Sequence, residues 1–327
     1  MVARVQAAHS GRRSAWKKLQ SNRSAVVSMW ILGVMVLAAI FLPPFFPEAA
    51  TQPSEDTYLP PFSSASESGF LYLFGTDING TDLLHSVLTG ARVSLFVGLA
   101  GAVVALFVGT AYGTIAGFVG GRLESLMMRL VDVLYSIPRV LFIMIFIAAF
   151  DSRLKAMLDA GRHWASDSGA TVIHDLLDAA IPYSRILILI ISLGLIEWLT
   201  MARIVRGQVL VLREQQFVTA SRALGQEPRG IVLKHILPNL AGIILTYLTL
   251  TIPAVILDES FLSFLGLGIS DPASSWGSLL RDGAQVINPL RSQWWLLFFP
   301  ALFMSLALLA LNFLGDGLRD ALDTRID

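Results

Sequence analysis

The chain has 327 residues, 54% hydrophobic and only 15% charged, with a mean hydropathy of +0.66; a soluble core needs less apolar surface, and several membrane spans account for it. Formal net charge is zero, so no global basic field points to nucleic acid as a partner. Cysteine is absent, which excludes disulfides, thiolate catalysis and Cys-ligated metal.

Residues 1–24 carry Arg4, Arg12, Arg13, Lys17, Lys18 and Arg23 and no acid. The apolar run Val26 to Leu42 follows, so a signal peptide competes with a membrane span. The run is long for a signal sequence, and Pro43-Pro44-Phe45-Phe46-Pro47 is a poor cleavage site. The reading is an uncleaved first span, 25–46, with the basic arm 1–24 in the cytoplasm. Segment 47–91 then lies outside, rich in Pro, Ser and acid up to Phe74-Gly75-Thr76-Asp77-x-x-Gly80-x-Asp82. Asp82 is suited to cap a short interfacial helix ending near Thr89.

A second span is expected over 92–118, where Gly109, Gly113 and Gly117 recur every four residues. Such a ridge lets helices pack backbone to backbone, within the subunit or against another. In the third span only Val140 to Phe150 is continuously apolar, so the helix must begin near Ser125. That places Asp132 and Arg139 at membrane depth, two turns apart on one stripe with Arg129 and Ser136. Each such charge costs on the order of 2.5–3.5 kcal/mol, so the stripe should face protein or water. Either Asp132 pairs with the arginines, or the stripe meets cargo in a translocation path. Pro138 is expected to kink this helix.

Residues 151–182 read as a polar, outward-facing insert whose His163 and His174 lack the spacing of a helical metal pair, so no metal site is assigned. The fourth span, 183–204, contains Glu197, read as a helix-end ion partner. Arg203, Arg206 and Arg213 follow and mark a cytoplasmic end.

Glu214 to Asn239 is the longest polar stretch enclosed by apolar runs in this half of the chain. On a helix, Phe217, Ala220, Ser221 and Leu224 share one face, and Gln215, Thr219 and Arg222 the other. Gly225 sits where a helix end wants positive φ, Pro228 suits the first turn of a second helix, and Pro238 is expected to end it. Two short helices joined at a glycine suit docking, although an ordinary loop carries similar signals. A fifth span, 239–264, ends at Asp258 and Glu259, placed near the outer face as gate residues or as hydrated interfacial charges. The sixth, 294–314, leads into Asn312-Phe313-Leu314-Gly315-Asp316-Gly317 and a cytoplasmic tail, 319–327.

Several of these stretches resemble the permeases of binding-protein-dependent ABC transporters. Thr219-Ala220-Ser221 stands for the EAA triplet of their coupling loop, Gly225 falls in register, and Leu237-Pro238 closes the pattern. Thr219 departs from the acidic residue, and His235 takes the place of Ile, with Ile236 one step later. The Phe74 to Asp82 stretch is similar to the FGTDxxGxD signature of the dipeptide and oligopeptide branch, with Thr81 in place of its usual Arg. The C-terminal motif is similar to that branch's signature, although Thr324 replaces a usual Pro, and Trp198-Leu199-x-Met201-Ala202-Arg203 and Ser274-Ser275-Trp276-Gly277 look closest to its C-type oligopeptide subunit.

The resemblance implies an all-α, six-span permease of the type I ABC importer (MetI-like) fold, with core 92–318 and coupling loop 213–238. It implies half of a translocation pathway for peptides in the bacterial inner membrane, with both termini cytoplasmic; nickel or another small solute is the alternative cargo. The implied partners are a second homologous permease, two ATPases and an extracytoplasmic substrate-binding protein, within membrane lipid. The chain has no G-x-x-x-x-G-K-[ST] motif, so ATP and Mg belong to the ATPases and no cofactor is assigned here. No H-E-x-x-H or G-x-S-x-G appears, which leaves a membrane enzyme without a catalytic set. An ion-coupled carrier would use Asp132 and Arg139 as a relay, but no inverted repeat accompanies them.

Overall fold

The computed structural model describes residues 16–66, 69–269, 273–286 and 292–322. Most of the basic arm and the end of the tail, including Thr324, lie outside the described residues. The helices are α1 Arg23–Phe41, α2 Leu83–Val119, α3 Gly121–Tyr135, α4 Arg139–Asp167 and α5 Thr171–Ala180. They continue with α6 Ser184–Arg213, α7 Gln216–Ala223, α8 Leu237–Phe264, α9 Trp276–Gln285 and α10 Trp295–Leu322. A short antiparallel ladder, β1 Ser63–Ser64 with β2 Leu71–Tyr72, sits in the first connection. The fold is therefore all-α in its spanning parts.

Five helical stretches are long and apolar enough to cross a membrane: Arg23–Phe41, Leu83–Val119, Thr171–Arg213, Pro228–Phe264 and Trp295–Leu322. The pair α3 and α4, bent by 91° at its break, makes a sixth. By length and composition the described residues hold five spans, or six when the bent pair is taken as a broken third one.

Asp82 caps α2 as its position suggests, its side chain accepting from the His85 amide at 3.0 Å. The short interfacial helix is corrected, however. Thr89 bonds back to the His85 and Ser86 carbonyls, and the helix runs on unbroken to Val119. With its backbone bonds satisfied from turn to turn, nothing stops it at the interface. The glycine ridge then works inside the subunit: Gly109, Gly113 and Gly117 lie against Met201, Ala202 and Val209 of α6. A Cβ on Gly113 would fall 2.5 Å from the Ala202 carbonyl oxygen, so any larger residue would push α6 away.

The polar stretch 151–182 is helical. α4 extends into it as far as Asp167, and α5 folds back on it, with Arg162 of α4 bonded to Asp178 of α5 at 2.9 Å and near its own helix's Asp159 at 3.3 Å. Phe74 of the first connection stacks on Phe299 of α10, ring centroids 3.9 Å apart, tying that connection to the last helix. Gly317 of α10 meets Ala25 of α1, closing the bundle at the other end.

Asp82 is only 1% exposed, and burial pushes its carboxyl from 3.8 up to about 6. Between those values the folded chain keeps a proton that the unfolded chain releases, so stability falls as pH rises from about 4 to about 6. The effect is on the order of 2–3 kcal/mol. Melting temperatures in detergent across that range are expected to show wild type losing ground to Asp82→Asn as pH rises. A gain would contradict the burial of this carboxyl.

Candidate functional site

Two clusters gather the residues that sequence patterns single out. The first is the projection after α6. α6 ends at Arg213, and α7 ends in paired closing bonds: the Gly225 amide to Arg222 O at 3.0 Å, and the Gln226 amide to Ser221 O at 3.1 Å. Gly225 takes φ +75°, the left-handed conformation that this ending requires. Pro228 opens the next turn, Pro228–Ile231. Val218 anchors α7 from beneath, fully buried among Val209, Ile231, Ile236 and Leu240.

What remains outside is apolar. Leu224 is 87% exposed and Phe217 39%, with Ala220 exposed between them. Ser221 and Thr219 spend their hydroxyls on the helix, on Phe217 O at 2.8 Å and Gln215 O at 3.4 Å. Leu237 and Pro238 correct the expected boundary. Pro238 stands in the first turn of α8 instead of ending a helix. A single π turn, Val232–Ile236, joins the two segments without a break.

The second cluster lies at the break in the third span. The residue before proline avoids the α region, so the chain leaves α3 at Ser136 and restarts at Arg139. The kink expected at Pro138 is a right-angle break. Asp132 and Arg139 therefore lie on different helices and do not pair. Asp132 holds Arg203 of α6 at 2.7 Å, and that guanidinium lies 4.3 Å from the Tyr135 ring centroid. Arg139 pairs with Asp258 at 2.9 Å and with Glu197. Glu197 is an ion partner, but it is buried in mid-helix rather than sited at a helix end. Beside Arg139 opens an apolar pocket of about 260 Å³ lined by Tyr135, Phe142, Trp198 and Leu199.

Glu259 is the largest correction. It is fully buried, not hydrated at the outer face. Ser263 donates to it at 2.7 Å, and Ser94 and Ser260 at 3.2 Å each. Ser94 also accepts from the Trp276 amide at 3.1 Å, and Ser263 from the Ile269 amide at 3.0 Å. One carboxylate thus ties α8, α2 and the returning loop together. Sequence reasoning missed Ser94: a lone serine in an apolar run, 165 positions from Glu259, carries no local signal. No group of residues suited to hold a metal occurs among the described residues.

Comparison with known proteins adds a separate line. Residues 109–327 match the family described as binding-protein-dependent transport system inner membrane component. The chain belongs to that family. Residues 10–61 match the N-terminal TM domain of oligopeptide transport permease C. The chain is similar to the oligopeptide transport system permease protein OppC of Escherichia coli K12, 41% identical over 317 residues, 96% of this chain and 92% of that one. It is also 41% identical to OppC of Salmonella typhimurium over 321 residues, 96% and 92% of the two chains. The dipeptide transport system permease protein DppC of Bacillus subtilis is 37% identical over 315 residues, 96% and 86%. A membrane permease subunit rather than an enzyme is what these relatives share.

Proposed function

We propose that this chain is one of two permease subunits of an ATP-driven peptide importer and forms half of the path across the inner membrane. The observation that carries the reading is the projection at 216–225, a rigidly terminated helix that, among the described residues, leaves Leu224 almost bare and Phe217 partly exposed on its outer face. A groove on an ATPase is the occupant that suits it. The near full-length match to relatives named for oligopeptides and dipeptides supports peptide cargo over nickel.

Arg203, Arg206 and Arg213 at the end of α6, with Lys17, Lys18 and Arg23 near the start, favour a cytoplasmic position for the projection and the N-terminal arm. The outer connections then face a substrate-binding protein, and a second homologous permease completes the path. Within it, Arg139 with Asp258 and the adjoining pocket are the groups placed to meet a passing peptide. A relay from Asp132 to Arg139 gains no support, because each is held in its own ion pair.

Reconstituted with these partners in vesicles, the chain is expected to support peptide uptake at zero membrane potential when ATP is supplied. Uptake driven by a pH gradient without nucleotide would overturn the reading.

A further inference from the structure

We propose that an anionic phospholipid is held where the end of α2 meets the projection. Two hollows share Phe118 and Val119 as a common wall. One, of about 290 Å³, is an apolar trough between Ile115 of α2 and Pro228, Val232 and Leu233. Ile115, Val119 and Leu233 are 52%, 57% and 64% exposed, so the trough opens outward from the bundle. The other, of about 490 Å³, is polar, bounded by Arg213, Glu214, Thr219 and Arg222. The Arg222 guanidinium stands at the seam, 5.4 Å from the Phe118 ring centroid, and Arg229 lies on the edge of the trough.

The charges set this place apart from the adjoining length of α6. Arg203 and Arg206 each have a carboxylate, Asp132 and Glu124. Arg213 donates to Gly117 O at 3.1 Å. Among the described residues neither Arg222 nor Arg229 has a carboxylate partner, and Glu214 offsets only one of the three arginines. An apolar trough that runs along a spanning helix into a site with surplus arginine matches an acyl chain with its phosphate. Guanidinium forks suit phosphate oxygens, and a basic site at the membrane boundary attracts anionic headgroups. Thr219 and Arg222 share the face of α7 opposite Phe217 and Ala220, so a lipid here would brace the projection and leave its apolar face open.

The test is native mass spectrometry of the complex purified with equimolar phosphatidylglycerol and phosphatidylcholine. Wild type is expected to retain phosphatidylglycerol selectively. Arg222→Gln with Arg229→Gln should lower retention roughly tenfold or more, since each cation near an anionic headgroup counts for about 1 kcal/mol. The matching pair of Lys substitutions should retain most of it, which separates lost charge from lost fold. Equal retention in wild type and the Gln pair would overturn the proposal. So would loss of the ATPases with retention unchanged, because the arginines would then meet protein. Displacement of the lipid by millimolar inorganic phosphate would equally count against it. Lipid retention is read without transport, so the result stands apart from the assignment of peptide cargo.

Discussion

Gly225→Val and Ala220→Arg are expected to abolish peptide uptake while leaving membrane levels near wild type. Gly225 holds φ +75°, and an added Cβ there meets no atom within 4 Å, so the penalty of valine is purely backbone strain. That strain is about 1–2 kcal/mol or more for a β-branched residue. It would open the paired closing bonds and swing Leu224 away from Phe217. Ala220 is exposed between those two side chains, so arginine there disturbs nothing within the chain. It blocks a partner by bulk and by a charge that would have to be buried. Pull-down of the ATPases through this subunit, measured beside uptake, checks both variants. Normal ATPase recovery and normal uptake in both would remove the projection as the docking site.

Arg139→Ala is expected to cut the yield of folded protein sharply. It leaves Asp258 and the buried Glu197 facing each other without a cation. Glu197 is buried but Arg139 is half exposed, so leaving the carboxylates uncompensated costs less than the roughly 3–5 kcal/mol of a fully buried pair. Glu197→Gln with Asp258→Asn in the same chain should restore the yield, whereas Asp132→Ala should not, since Asp132 serves Arg203. Monodisperse protein recovered in detergent is the measurement. Rescue by Asp132→Ala would contradict this pairing. If the rescued triple variant folds, its peptide uptake then reports whether Arg139 also meets cargo.

These two sites differ in how far the sequence alone reveals them. The projection is coded locally: Gly225 ends a helix, Pro228 starts a turn, and the polar run stands out between apolar spans, so neighbouring residues decide its shape. Pro238 misled because proline stops a helix behind it and starts one equally well. The charge cluster depends on distant geometry. Asp132 and Arg139 share a stripe only if the helix between them is continuous, and a 91° break sends each to a different partner. Arg203 lies 71 positions from Asp132, and nothing near either residue announces the other. Glu259 follows the same logic. At the end of a span it reads as hydrated, but serines of α2 and α8 bond it, and the loop carrying Ile269 and Trp276 turns back to bond two of those serines.

The chain has no cysteine, which makes one measurement direct: a single Leu224→Cys variant, treated with a short bifunctional thiol-to-amine cross-linker in native membranes. Leu224 is 87% exposed, and Met157 of α4, 72% exposed, supplies a control through Met157→Cys. Cross-linking of Leu224→Cys to an ATPase subunit, with none from Met157→Cys, is the predicted result. Absence of an ATPase adduct at Leu224, in complexes that still contain the ATPases and import peptide, would contradict coupling through this projection.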